Sequence, residues 1–212
     1  MNLWAQIWVR GWKNYIQITP LYRFRAIILN INKIRDNNTR IVFISHEYGK
    51  ITGWWNKKDI SWVDIWDIVE VLISRDTSKN IIKSIEIIMP GWHKNWNYTR
   101  IYSFLETLHL VSKISIDGQD CPQLYNDLLF FIEYGIKQDI DISQYTIFQM
   151  RLLKAIGSMN PEMFWDDNIL QYIYNNISHT PLEKILSSSK IKDEHVSKIK
   201  QINLHSIYML NK

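Results

Sequence analysis

The sequence predicts an α+β protein, with five short strands in the front half and only helices in the back half. Three observations carry this reading. From Arg25 to Met89 apolar residues recur mostly at every second position, the period of a half-buried strand. Pro90-Gly91 then punctuates the chain. Beyond it the recurrence becomes three and four, the period of a helix with one buried face. The chain also holds 36 Ile and only 3 Ala, a β-branched excess that favours strands. That excess reads as the mark of an AT-rich genome more than as a structural demand.

The strands follow in order. In Arg25–Lys33 one face carries Ile27, Leu29 and Ile31, the other Ala26, Ile28, Asn30 and Asn32. Asp36-Asn37-Asn38-Thr39 reads as a hairpin turn, because Asn and Asp tolerate left-handed backbone. Arg40–His46 is the second strand, Glu47-Tyr48-Gly49 the next turn, and Lys50–Trp55 the third strand. The polar loop Asn56–Asp59 leads into a long segment from Trp62 to Arg75. A last strand, Ile81–Met89, is expected to place Ile81, Ile85, Ile87 and Met89 on one side. Five strands in so short a stretch suit a small closed barrel or a sandwich.

The helices come next. Tyr98, Ile101, Tyr102, Leu105 and Leu108 form one stripe; Leu124, Leu128, Phe131 and Ile132 form a second, after Pro122 in a first turn. Phe148, Leu152 and Ile156 mark a third helix closed by Gly157. Shorter helices are expected at Ile169–Ile177 and Pro181–Leu186, and a final one at Ile191–Leu210. Residues 1–20 read as an extension, 21–92 as the barrel domain and 93–212 as the helical domain. No low-complexity linker separates the halves, so they are expected to pack directly.

Composition excludes several classes. Apolar residues at 46% and aromatics at 13% are enough for a core, which excludes wholesale disorder. The single cysteine, Cys121, excludes a disulfide framework and a Cys-rich zinc site, and fits a reducing cytosol. No apolar run approaches the roughly 18–20 residues of a membrane span. The N-terminus does not read as a signal peptide, because Arg10 and Lys13 follow Trp4 and Trp8 instead of preceding an apolar core. Charge is uneven: residues 1–95 carry net +6 and the remainder net −2. Polyanion contacts are therefore expected at the front.

Catalytic chemistry is not expected. His46, His93, His109, His179, His195 and His205 show no metal-ligand spacing and read as surface or half-buried histidines. Cys121 sits at a helix start, where a thiolate is favoured, but has no patterned base and reads as a packing residue. No phosphate-cradling glycine loop and no nucleophile elbow occurs. Asp64/Asp67 and Asp166/Asp167 read as solvated edges. No metal or cofactor is expected.

The basic and aromatic residues of the front half say more. Arg23, Arg25, Lys33, Arg35, Arg40, Lys50, Lys57 and Lys58 interleave with Tyr22, Phe24, Tyr48, Trp54 and Trp55. Such a mixture suits single-stranded nucleic acid, with cations on phosphates and bases on aromatic faces. The other reading makes the aromatics core and the charges ordinary solvated faces. Adjacent strand residues face opposite sides, so Trp54 and Trp55 do not both enter one core. Trp4, Trp8 and Trp12 form a one-sided stripe if the leader is helical. That stripe suits either docking on the rest of the chain or a partner or membrane surface.

The order of elements resembles the bacterial recombination mediator RecO family of DNA repair proteins. The matching stretches are AIILNINKIRDNNTRIVFISHEYGKITGWW (Ala26–Trp55), DIWDIVEVLISR (Asp64–Arg75) and IKSIEII (Ile82–Ile88). The helical part matches through TRIYSFLETLHLVSKI (Thr99–Ile114), CPQLYNDLLFFIEYG (Cys121–Gly135) and FQMRLLKAIGS (Phe148–Ser158). The resemblance implies an N-terminal OB-fold followed by a helical domain. It implies binding and annealing of single-stranded or partly paired DNA, and, with RecR, loading of RecA onto DNA coated by single-strand binding protein. The expected DNA contacts are Arg23, Arg25, Lys33, Arg35, Arg40, Tyr48, Lys50, Trp54, Lys57 and Lys58. The tail of single-strand binding protein would dock near Phe148, Arg151 and Lys154. A bacterial cytoplasmic, nucleoid-associated setting follows.

Three departures accompany the resemblance. The four-cysteine zinc module that many relatives carry after the run ending near Gly157 is absent. The basic loop after the third strand is short, with only Lys57 and Lys58. Tyr145-Thr146-Ile147 stands where relatives often carry arginine, a charge that Arg151 and Lys154 replace only if they face the groove. These departures admit an alternative, a non-catalytic adaptor with the same fold and little DNA affinity; an RNA-binding barrel is a third.

Overall fold

The computed structural model describes residues 20–35, 37–57, 60–75, 79–91, 96, 98–187 and 191–210. Trp4, Trp8, Trp12, Lys58 and His93 lie outside them. The front half is a closed five-stranded barrel of strands β1 (Leu21–Arg35), β2 (Asn38–Ser45), β3 (Gly49–Trp55), β4 (Ile68–Arg75) and β5 (Asn80–Met89). Their order around the barrel is β1-β2-β3-β5-β4. All neighbours run antiparallel except β3 and β5, which are parallel and register at Trp54↔Ile81. This is the OB-fold arrangement.

β1 is long because it serves two neighbours. Residues 21–27 pair with β4 and residues 26–35 with β2. A register shift between Ile28 and Asn30 bends it from one to the other. Phe24, Ala26 and Ile28 point into the barrel, where they meet Ile41, Phe43, Trp55, Val69, Val71 and Ile82. The opposite face of β1, Ile27 and Leu29, is also buried, together with Val42, Ile44 and Ile68, under the helices. Burial on both faces explains the unbroken apolar run Ala26–Leu29. β5 departs from simple alternation: register shifts that skip Lys83 and Ile88 turn Ile82 inward instead of Ile81 and send Met89 to the helical side, while Ile85 and Ile87 face the barrel interior. Among the described residues between β3 and β4 no strand forms until Ile68, and Val63 there packs with the barrel interior.

Among the described residues six helices follow: α1 (Tyr98–Ile114), α2 (Pro122–Lys137), α3 (Ile142–Ala155), α4 (Asn168–Asn176), α5 (Leu182–Ser187) and α6 (Asp193–Met209), with a 3-10 turn at Pro161–Phe164. Asp141 starts α3 with a reciprocal capping box to Gln144. Gly157, at φ +70°, ends it, and Ser158 donates its N–H back to Leu153 O at 3.1 Å. None of the helices among the described residues is long and apolar enough to cross a membrane.

Barrel and helices share a core. Trp66 meets Phe104 at 4.9 Å between ring centres, Phe104 meets Phe131 at 4.9 Å, and Phe131 stacks on Phe148 at 4.0 Å. Trp66 is fully buried at φ 75°, a left-handed backbone unusual for so large a residue. Gly91 makes that position fit, because a Cβ there would lie 2.3 Å from Trp66 Cβ. Asp67 fastens the same corner, its carboxylate accepting from the Gly91 N–H at 2.9 Å and the Asp64 N–H at 2.7 Å.

Candidate functional site

A cavity of about 670 Å³ opens where β3 meets the start of β5. Register builds its upper wall. Arg40 of β2 lies opposite Trp54 of β3, and Trp54 lies beside Ile81 of β5, so all three face outward in one row. Trp54 is half-buried, and Lys79 places its Nζ 5.1 Å from the indole centre. Arg75, the last residue of β4, pairs with Asn80, whose side-chain amide donates to Thr52 O at 3.0 Å. A half-exposed indole between a guanidinium and an ammonium results, with Arg75 close by. Each cation is on a different element, so only strand order assembles them.

The lower wall has the opposite charge. Glu47 from the β2–β3 turn and Asp117 and Asp120 from the segment after α1 line it, with Tyr22 and Tyr48 between. Tyr48 packs edge-on against Tyr22 and Phe24, ring centres 6.2 and 5.4 Å away. Lys50 belongs to this wall and is committed to it. Its Nζ donates to Ser112 O and Ser115 O, each at 3.0 Å, and lies 3.3 Å from the Asp117 carboxylate. A cation on the last carbonyls of α1 suits the negative end of the helix. The backbone joins in: Gly118 N–H donates to Lys50 O at 3.0 Å, making a bridge between Lys50 and Asp117. Gly49, at φ +60°, admits this approach, since a Cβ there would sit 1.6 Å from Gln119 O.

The ten residues expected to contact nucleic acid therefore part company. Arg40, Tyr48, Lys50 and Trp54 come together at the cavity. Arg23 is outside it, paired with Glu70 at 3.1 Å; Arg25 reaches Glu133 of α2 at 3.8 Å. Lys33 and Arg35 are exposed on the far part of β1. Lys57 lies over the Trp55 ring at 4.9 Å, and Lys58 is outside the described residues. Trp55 is the buried member of the Trp pair, 5% exposed, with Trp62 edge-on at 6.2 Å.

The expected docking rim on the helices needs correction. Phe148 is fully buried in the aromatic stack. Arg151 is buried as well: Nε donates to Asp127 at 2.7 Å, and Nη1 donates to Ile177 O and Thr180 O. A guanidinium saturated by buried acceptors holds the bundle together and offers nothing to a tail. Lys154 alone of the three is half-exposed, with its Nζ 4.3 Å over the Tyr174 ring and bonded to Tyr174 O.

Other expectations shift too. Asp67 is buried and Asp167 caps α4, so neither is a solvated edge. Burial pushes the Asp67 carboxyl above its ordinary value, against the pull of the two N–H groups it accepts from. His195 is buried against Asp167, at 3.6 Å, where a surface or half-buried position was expected. Burial, with Asp120 beside it, pushes the Cys121 thiol up, away from the thiolate that a helix start favours. Sequence reasoning missed Arg75, Lys79 and Asn80, whose only signal was their place around the last hairpin. No cluster of His, Cys, Asp and Glu able to hold a metal occurs among the described residues. No family model matches the chain, and no curated protein matches it.

Proposed function

We propose that the chain is a non-catalytic DNA-binding mediator of the RecO type, which holds single-stranded DNA on its barrel and promotes annealing. One observation carries the reading: on an OB barrel, the half-exposed Trp54 sits between Arg40 and the Lys79 ammonium on the outer face of β2 and β3. That face is where such barrels take oligonucleotides. A base stacks on the indole while the cations neutralise its flanking phosphates. Annealing follows from the same groups, since two strands approach once their phosphate repulsion is screened. The RecO-like order of elements adds loading of RecA with RecR onto DNA coated by single-strand binding protein, in a bacterial cytoplasm. Of the residues first assigned to that protein's tail, Lys154 is the one with solvent access.

The experiment is charge reversal in the full chain. Arg40→Glu with Lys79→Glu should abolish binding of labelled oligothymidylate and slow annealing of complementary oligomers. Lys33→Glu with Arg35→Glu should act weakly. The adaptor reading rests on a different observation, the carboxylates of the lower wall and the helices over Val42 and Ile44. Equal DNA affinity in wild type and the Arg40/Lys79 variant would favour it.

A further inference from the structure

The cavity is split by charge along β3, and the split is held in place. Lys50 and Trp54 are four residues apart, roughly 13 Å along an extended strand. At the Trp54 end stand Arg40 and Lys79; at the Lys50 end stand Asp117 and Asp120. The second pair does not belong to the barrel. It arrives on the segment between α1 and α2 and is fixed there by four contacts: two carbonyls on Lys50 Nζ, the Gly118–Lys50 backbone bond and the close pass over Gly49. This fastening occupies the surface that would otherwise continue the nucleic-acid path down β3.

We infer that the Gly49–Lys50 clasp, by holding residues 115–121 against the lower half of β3, gives the cavity a carboxylate end-stop that fixes where a bound polynucleotide leaves the barrel. Lys50 is then a positioning residue, with no phosphate contact of its own. A strand stacked at Trp54 meets the exposed carboxylates of Asp117 and Asp120 if it continues toward Lys50, and its phosphates are repelled by them at separations within the Debye length. The path turns outward instead, and the number of phosphates held stays small whatever the length of the strand. This inference rests on the DNA-binding reading above.

The test reads phosphate contacts directly, through the slope of log affinity against log salt. Oligothymidylates of about 4, 8 and 16 nucleotides span the site sizes of such barrels. In the wild-type full chain the slope should be the same for the two longer probes. Asp117→Asn with Asp120→Asn, in a Glu47→Gln background that clears the third carboxylate of the lower wall, keeps the Lys50–carbonyl bonds and removes the end-stop. Its slope on the longest probe should steepen by about 0.7 for each further phosphate contacted, with none added on the shortest. Lys50→Met should reproduce this pattern and Lys50→Arg restore wild-type behaviour. Identical slopes in wild type and the Glu47/Asp117/Asp120 variant at every length would overturn the end-stop while leaving DNA binding intact. Absence of salt-dependent binding by the wild type at any length would overturn both.

Discussion

Trp54 and Trp55 show how much one strand position decides. Alternation sends Trp55 into the barrel and Trp54 into the cavity, so the same truncation has two outcomes. Trp55→Ala should destabilise the fold by about 3–5 kcal/mol in denaturant unfolding. Trp54→Ala should leave the unfolding midpoint nearly unchanged and weaken oligonucleotide binding. That the pair could not share one core was legible from spacing alone; which one enters the barrel required the phase of β3 against β2. The helix-end contacts of Lys50 were hidden for a related reason. A lysine after a turn glycine looks the same whether it faces solvent or caps a helix end 62 residues later in the chain.

Elements are held by polar groups whose partners are distant in sequence. Arg151 of α3 bonds Asp127 of α2 and carries the turn after α4 through Ile177 O and Thr180 O. Arg151→Met leaves a buried carboxylate unpaired and should cost about 3–5 kcal/mol; pairing it with Asp127→Leu should recover part of that loss. The two unfolding curves check it. Asp167 caps α4 and joins it to α6 through Lys198 at 2.9 Å. That ammonium, with the capping N–H groups, holds the Asp167 carboxyl below its ordinary 3.8. A carboxyl lowered in the folded state stabilises above 3.8, and that stabilisation is lost as pH falls through the folded value. Asp167→Asn should therefore flatten the acid limb of stability against pH, leaving a smaller drop below about pH 4. The helices themselves were readable because their stripes are long and their punctuation, Pro122 at a start and Gly157 at a stop, is chemical. The β5 bulge was not, since Ile81 and Ile82 stand side by side and either could have faced the barrel.

The molecule as a whole is a barrel whose outer face is finished by helices. Ile27, Val42 and Ile44 join Phe104, Phe131 and Phe148 in one apolar cluster. The fold should consequently unfold as a unit, with tryptophan fluorescence and far-ultraviolet dichroism tracing coincident transitions. Two separated transitions would show independent halves. Period change at Pro90-Gly91 made the two-part order legible, whereas the cavity depends on strand order and on a segment after α1 that no local pattern marks. The central claim is that Trp54 and its flanking cations grip a polynucleotide. Affinity of the full chain for labelled oligothymidylate, measured across a salt series with and without Trp54→Ala, tests it most directly. The expected result is a linear fall of log affinity with log salt, and a variant weaker by roughly 5- to 150-fold at each salt, the equivalent of about 1–3 kcal/mol for one stacked base. Binding that ignores salt, or a variant that binds as tightly as the wild type, would contradict the account.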